Sequence, residues 1–256
     1  MDRPTPPRTS SETNLDGSRS WPWVSTAMCE LEDDIACAIQ SDETVMITGE
    51  SGAGKKYVAH LIHMRSRRGS APFVIASCPD FVESLHQSSS LDGGLASEPA
   101  DQSTHGPLKT ATNGTLLIEA IETITVPMQA QLMRLLEHQV TGGSNVRFVS
   151  ATSTKFFERV RSCQFSEDLF YRLNVIHLTI PALRERPEDI LILMRHFLSF
   201  YSRARIPRLS IAAWRRILAY SWPGNVPELK AVAEKLAAQD LRRLVEPDDL
   251  PLEICQ

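Results

Sequence analysis

The fold of this chain is decided by one short stretch, Val45-Met46-Ile47-Thr48-Gly49-Glu50-Ser51-Gly52-Ala53-Gly54-Lys55-Lys56-Tyr57-Val58-Ala59. An apolar run with the length of a buried strand is followed by a turn with three glycines and then by the start of a helix. The glycines allow several backbone N–H groups to point inward, and the helix N-terminus adds its positive dipole end. The stretch therefore predicts a loop that binds phosphate groups.

The pattern G-x-x-x-x-G-K-[ST] of phosphate-binding loops is matched from Gly49 to Lys55. The candidate nucleotide-binding residues are Gly49, Glu50, Ser51, Gly52, Ala53, Gly54, Lys55 and Lys56. Lys55 is predicted to reach the β and γ phosphates of a triphosphate. Lys56 stands where the pattern has the hydroxyl residue that holds Mg²⁺, so the last position fails. The alternative is an ordinary glycine-rich turn between a strand and a helix.

Composition restricts the kind of protein. The 256 residues are 42% hydrophobic, which is enough for a large α/β domain with a small second domain. A formal net charge of −4 argues against broad binding to nucleic-acid backbones, which requires a concentrated basic surface. The five cysteines lack metal-ligand spacing, and no apolar run approaches the roughly 20 residues that cross a bilayer. We therefore expect a cytoplasmic protein that does not contact a membrane.

Strand patterns and helix patterns alternate along the middle of the chain. Beyond the first strand, apolar and β-branched runs predict strands at 72–78, 114–119, 146–152 and 175–180. Helical spacing of apolar residues is found at 21–40, after the glycine-rich turn to about residue 65, and at 126–138. This alternation predicts an α/β fold in which helices cover both faces of a parallel sheet, an αβα sandwich.

The remaining segments have different compositions. Residues 1–20 are rich in Pro, Ser, Thr and Arg, which predicts a disordered arm before the α/β core at 21–181. Residues 182–256 form a predicted helical lid domain, with helical patterns at 190–201, 211–220 and 226–238. Within the core, residues 88–112 are dominated by Ser, Gly, Asp, Pro and Thr, and a long exposed loop is expected there.

Three further motifs lie downstream of the glycine-rich loop. They are Phe165-Ser166-Glu167-Asp168-Leu169-Phe170-Tyr171-Arg172-Leu173-Asn174-Val175, Pro181-Ala182-Leu183-Arg184-Glu185-Arg186-Pro187-Glu188-Asp189-Ile190 and Trp222-Pro223-Gly224-Asn225-Val226. Together with the loop, they resemble the P-loop AAA+ central domain of bacterial sigma-54-dependent transcription activators, also called enhancer-binding proteins. The resemblance covers roughly residues 21–250.

The resemblance implies a ring of related AAA+ subunits that binds ATP between neighbours and hydrolyses it. In such enzymes an Asp holds Mg²⁺ and an adjacent Glu activates water. Glu119 stands at the Asp position, which makes it a candidate catalytic and metal-binding residue, but Ala120 stands at the Glu position and cannot accept a proton. We therefore expect ATP binding that depends little on Mg²⁺ and impaired hydrolysis.

Other departures from the family pattern concern residues that would touch the nucleotide. Ser153 stands at the position of a sensor Asn, and Pro227 at that of a sensor Arg. Pro227 cannot donate to a phosphate, although proline is tolerated in the first turn of a helix. In the segment that serves a neighbour's nucleotide, Ser166 replaces one Arg and Arg172 is kept. Arg172 is a candidate catalytic residue in trans, or else forms a structural ion pair.

In the family, a Gly-Ala-Phe-Thr-Gly-Ala loop contacts sigma-54 RNA polymerase. The corresponding residues, Ala96-Ser97-Glu98-Pro99-Ala100-Asp101, have no aromatic side chain, so contact through this loop is not expected. Two functions follow: an impaired regulatory subunit that associates with related subunits, or a slow ATPase that uses Lys55, Glu119 and Arg172 and still activates transcription. A direct DNA-binding repressor is less favoured, because family members continue into a helix-turn-helix module and this chain stops at Gln256.

Overall fold

A computed structural model describes residues 23–82, 106–140, 145–202, 205–239 and 243–255 of the chain. The predicted disordered arm at 1–20 lies outside these residues, and so do residues 96–101 at the position of the sigma-contacting sequence. None of the described helices is long and apolar enough to cross a membrane.

Five parallel strands form the central sheet. They are β1 Val45–Thr48, β2 Phe73–Ser77, β3 Thr115–Glu119, β4 Arg147–Thr152 and β5 Ile176–Thr179. Their order across the sheet is β2-β3-β4-β1-β5, and every neighbouring pair is parallel. Each strand lies within a run that the sequence predicts as a strand. The prediction of an α/β fold with a parallel sheet is confirmed.

Successive strand residues pack on opposite faces of the sheet, as the pleat requires. One face buries Met46, Leu116, Ile118 and Phe148 with apolar residues of helices Val126–Val140 and Glu167–Leu173. The other face buries Val45, Ile47, Leu117 and Val149 with apolar residues of helices Glu32–Gln40 and Lys55–Arg65. Because both faces are covered, the strands consist mainly of apolar residues and form the middle layer of three, with the exposed His177 and Thr179 of β5 as exceptions.

One helix prediction and one loop prediction need correction in this part of the chain. The helix expected immediately before β1 is present as Glu32–Gln40, but its predicted start at residue 21 is wrong, because a separate short helix, Thr26–Cys29, precedes it. The long exposed loop expected at 88–112 is wrong in its described part, since Pro107–Thr110 is a helix and Ala111 is fully buried. Ala111 packs into the core beneath the sheet, which composition alone did not indicate. A further helix lies between β4 and β5, Phe156–Arg161.

The C-terminal residues form a helical unit with a core of its own. Its helices are Pro187–Tyr201, Ile211–Ala219, Asn225–Ala238 and Leu252–Cys255, with 3₁₀ turns at Leu183–Glu185 and Pro247–Asp249. Buried residues of this core include Ile190, Met194, Leu198, Ile217, Trp222 and Leu229. The three predicted helices of this unit are therefore present. An isolated bridge between Leu209 and Val245 joins its two connecting segments.

Candidate functional site

The carboxyl ends of the strands meet at one edge of the sheet. Thr48 ends β1 and is aligned with Thr152 of β4 and Thr179 of β5. Glu119 ends β3 and is aligned with Ser77 of β2. The glycine-rich loop leaves β1 at this edge and leads into helix Lys55–Arg65. Ligands of open parallel sheets bind outside this edge, so the loop and Glu119 are positioned to share one site.

The Lys55 side chain is folded back onto its own loop. Its Nζ atom donates to the carbonyl oxygens of Gly49 and Glu50, at 2.7 Å each. Burial lowers the pKa of the Lys55 ammonium, while the nearby carboxylates of Glu122, Glu119 and Glu50 oppose that shift. Phosphate oxygens of a nucleotide would replace the two carbonyl oxygens with charged acceptors, which form stronger hydrogen bonds.

Lys56 pairs with Glu119 across the site. The Lys56 Nζ atom lies 2.8 Å from Glu119 Oε2, and the two side chains are 61% and 29% exposed. Lys56 is the second residue of the helix after the loop, and Glu119 is the last residue of β3. The two positions at which the sequence pattern and the family resemblance place Mg²⁺ ligands thus hold an ammonium and a carboxylate in contact.

The chain turns sharply after Glu119. Ala120 has a φ of 54°, in the left-handed region, and its carbonyl oxygen accepts hydrogen bonds from the backbone and the hydroxyl of Thr123. The turn directs Glu122 back to the edge, where its carboxylate accepts from Thr152 Oγ1 at 2.7 Å and from the Ser153 N–H at 3.1 Å. Sequence reasoning missed Glu122, because its position depends on this turn and on the adjacency of β3 and β4.

The lid packs on the other side of the same loop. Arg184 holds the Glu50 carboxylate with two hydrogen bonds, at 2.6 and 2.9 Å. Asn225 is fully buried, donates to Glu50 Oε2 at 3.1 Å and to Ser51 O at 2.9 Å, and accepts from the Leu183 N–H at 2.8 Å. The hydrogen bonds from Arg184 and then from Asn225 lower the pKa of Glu50 to about 2.

Glycine is required where the lid touches the loop. Gly52 has a φ of +75°, and a Cβ atom there would lie 2.7 Å from Gly224 O and 2.8 Å from Pro227 Cδ. The Val226 N–H donates to Gly52 O at 3.2 Å. Pro227 therefore lies in the first turn of helix Asn225–Ala238, as predicted, and its ring packs against the loop. Gly54 has a φ of +106° and open space beside it.

An apolar cavity adjoins the end of the loop. It has a volume of about 550 Å³, in the range of small-molecule pockets. Its lining comes from four parts of the chain and includes Trp23, Gly54, Tyr57, Ile192, Phe197 and Val226. Sequence reasoning did not predict this cavity, since only the fold brings these segments together. The cavity is large enough to hold a nucleotide base next to the loop, and its lining would contact the aromatic faces of the base.

Two buried side chains hold the walls of that cavity in place. Asp189 accepts hydrogen bonds from the N–H groups of Val24 and Ser25, at 2.9 and 3.0 Å, and from Ser25 Oγ at 2.8 Å. Arg186 donates to the carbonyl oxygen of Ala53, and burial lowers the pKa of its guanidinium. The segment before the first helix, the phosphate loop and the lid are therefore tied together around the cavity.

Arg172 lies at the opposite edge of the sheet. Its carbonyl oxygen accepts from Thr44 Oγ1 at 2.8 Å, directly before β1, and its guanidinium donates to Leu136 O at 3.4 Å. The four residues of β1 span roughly 13 Å between this edge and the phosphate loop. Among the residues that the structure describes, Arg172 forms no ion pair with a carboxylate. Ser166, the replacement for the other family Arg, caps helix Glu167–Leu173.

The fold and the loop define a P-loop nucleotide-binding core with a helical lid. Residues 23–179 match the family model of the Sigma-54 interaction domain, and residues 184–256 match the AAA+ ATPase lid domain. The chain therefore belongs to the sigma-54 interaction family of AAA+ domains.

Several curated relatives are similar to most of this chain. The regulatory protein AtoC of Escherichia coli K12 is 36% identical over 256 residues, which cover 93% of this chain and 56% of AtoC. The sigma54-dependent transcriptional activator SfnR of Pseudomonas putida is 37% identical over 79% of this chain and 61% of its own length. The chain thus spans about half the length of the curated relatives that it matches.

Solved structures show the same architecture. NtrX from Brucella abortus in complex with ADP has a TM-score of 0.76 at 28% identity, over 94% of this chain and 57% of that one. Its complex with ATP has a TM-score of 0.74 at 30% identity, over 92% and 58%. RuvB from Thermotoga maritima, at 15% identity and a TM-score of 0.58 over 84% and 65%, shares the fold alone.

Proposed function

We propose that this chain is a cytoplasmic AAA+ subunit of the sigma-54 interaction family that binds ATP, has lost efficient hydrolysis and acts by associating with related subunits. Support for ATP binding comes from the loop with Lys55, from the adjoining cavity and from NtrX, which is solved with ATP and with ADP. The candidate site residues are those of the loop from Gly49 to Lys56, together with Glu119 and Arg172.

Impaired hydrolysis is inferred mainly from Ala120. At the end of β3 the chain places a methyl group where the family resemblance expects the residue that activates water. Loss of a general base typically costs about 10²–10⁴-fold in rate. Pro227 adds to this loss, because its nitrogen has no hydrogen and its ring packs on Gly52 instead of donating to a phosphate.

Association is inferred from Arg172. Its guanidinium lies at the amino edge of the sheet, too far from the chain's own loop to serve it, and forms no carboxylate ion pair among the described residues. A positive side chain held in that way is available to the nucleotide of a neighbouring subunit. We propose that Arg172 completes the site of a related AAA+ partner, a role for which arginine is well suited in phosphoryl transfer.

The decisive experiment mixes the purified chain with an intact ATPase of the same family. The chain alone should show turnover close to background and should not activate a sigma-54 promoter. In the mixture, the assembly or the turnover of the partner should change. Arg172→Ala should reduce the effect on turnover at least about tenfold, whereas the exposed Arg161→Ala should not alter it. Robust turnover by the chain alone, without association, would overturn the proposal.

The second candidate function is a slow ATPase that still activates transcription. Glu122 favours it, since this carboxylate reaches the strand edge close enough to Lys55 to affect its pKa. In that case the chain alone should hydrolyse ATP measurably, and Glu122→Gln should abolish the turnover while ATP affinity stays unchanged. If Glu122→Gln leaves any residual turnover intact, Glu122 has no part in the reaction.

A further inference from the structure

The ion pair between Lys56 and Glu119 is incompatible with an ordinary Mg²⁺ site. Mg²⁺ requires near-octahedral oxygen ligands at short distances, and phosphate loops supply one from a hydroxyl residue and use a nearby carboxylate. Here the hydroxyl is absent, and the ammonium at its position is 2.8 Å from the carboxylate. A divalent cation at this place would have to displace the Lys56 ammonium from Glu119, and it would still lack the hydroxyl ligand.

The surrounding groups do not replace the missing ligand. Both oxygens of Glu122 accept hydrogen bonds from Thr152 and Ser153. The hydroxyl of Thr48 contacts His177 and Thr179, at 3.0 and 3.1 Å. Among the described residues, no group of three or more His, Cys, Asp or Glu side chains is arranged to hold a metal ion.

We infer that this chain binds its nucleoside triphosphate as the metal-free anion, with the Lys56 ammonium serving as a tethered counter-cation in place of Mg²⁺. The inference rests on the proposed binding of ATP and specifies the form of the ligand. Lys55 and Lys56 place two ammonium groups beside the loop, and metal-free ATP carries more negative charge than its Mg²⁺ complex. Glu119 keeps Lys56 at the site through their ion pair when no nucleotide is bound. Mg²⁺ adds nothing here because its ligands are replaced and its charge is repelled by Lys56.

The test is a fluorescence anisotropy titration of a labelled ATP, with the whole chain, in excess Mg²⁺ and in EDTA. For the native chain the two affinities should agree within about threefold, or EDTA should give the tighter binding. Lys56→Thr restores the hydroxyl ligand and frees Glu119, so Mg²⁺ should now raise the affinity at least about tenfold. Lys109→Thr, an exposed lysine on helix Pro107–Thr110, is the matched control and should behave as the native chain.

A second variant keeps the test informative if Lys56→Thr does not fold. Lys56→Met removes the charge without supplying an oxygen ligand for a metal, so binding should weaken about tenfold in both conditions and stay insensitive to Mg²⁺. Thermal unfolding of each variant identifies a folding defect.

The inference is overturned if the native chain loses tenfold or more of its ATP affinity in EDTA, or if it binds no ATP in EDTA. Neither result affects association with a related subunit, which the mixing experiment measures separately.

Discussion

The phosphate loop contacts the strand ends on one side and the lid on the other, and these two sides differ in the kind of residue they hold. On the side that faces the strand ends lie Lys56 and Ala120, the two residues from which we propose altered metal binding and impaired hydrolysis. On the side that faces the lid, a continuous set of contacts joins Glu50, Arg184 and Asn225. The comparison indicates that the contacts which position the loop do not depend on the residues that we propose to have altered its chemistry.

Pro227 bears on both nucleotide contact and lid packing. This explains how a proline is tolerated at this position. At a position where the family resemblance implies an arginine, proline has no N–H to donate to a phosphate. As a ring in the first turn of its helix, it breaks no helical hydrogen bond and packs beside Gly52. Ligand chemistry and domain packing therefore depend on different properties of the same position, and variants on the two sides of the loop should have separable effects.

The largest effect is expected on the strand side, from Lys55→Ala. Removing a charged donor from the phosphates should lower ATP affinity at least about 100-fold, equivalent to about 2.8 kcal/mol. The free energy of unfolding should change by less than about 1 kcal/mol, because only two hydrogen bonds of a flexible side chain to the loop are lost. Titration with labelled ATP and urea denaturation measure the two quantities, with the exposed Lys235→Ala as the control.

A Lys55→Ala variant that retained near-native affinity would show that the loop does not bind phosphates through Lys55. One that unfolded would show that the two sides of the loop are not separable.

An effect on stability is expected on the lid side, from Asn225→Ala. The substitution removes three hydrogen bonds, one buried and two partly buried, leaves the Leu183 N–H without its acceptor and places Ala at a φ of 53°. We expect a loss of about 2–4 kcal/mol in the free energy of unfolding. Urea denaturation at neutral pH measures it.

Asn225→Gly is the matched variant, since glycine accepts a positive φ but makes no side-chain hydrogen bonds. Asn225→Gly should recover part of the free energy of unfolding that Asn225→Ala loses. The part that is not recovered measures the contribution of the side-chain hydrogen bonds of Asn225. A loss below about 1 kcal/mol in both variants would mean that Asn225 does not fasten the lid to the loop.

The smallest effect is a pH dependence of the Glu50 contact with Arg184. The pKa of Glu50 is lowered from 4.5 to about 2 in the folded chain, so its contribution to stability is complete above about pH 4.5 and is lost as the pH falls towards 2. The effect should be small, because the Glu50 side chain is 33% exposed and salt screens the pair.

Glu50→Gln tests this pH dependence. The difference in melting temperature between the native chain and Glu50→Gln should shrink as the pH is lowered from 5 towards 3, and should also shrink in high salt. A difference that grows on acidification would contradict the sign of the Glu50 shift.

The sequence by itself determined the five strands, the longer helices and the family. The first strand, the glycine-rich turn and the helix after it are specified by neighbouring residues, and the four later strands by short apolar runs. Such local patterns depend on hydrophobic periodicity and turn chemistry, which are visible without the fold. The substitutions at Lys56, Ala120 and Pro227 were also apparent from motif position alone. The domain bounds at 20/21 and 181/182 stay predictions.

Only the tertiary structure decided which distant residues meet. The strand order β2-β3-β4-β1-β5 places the ends of β1 and β3 at one edge, and so brings Lys56 to Glu119 although 62 residues separate them in the sequence. The same order places Glu122 beside Thr152. The position of helix Glu167–Leu173 places Arg172 at the opposite end of the strands, beside Thr44. These contacts depend on the order in which the chain connects the strands and on the position of the lid. Local sequence patterns predict neither of these.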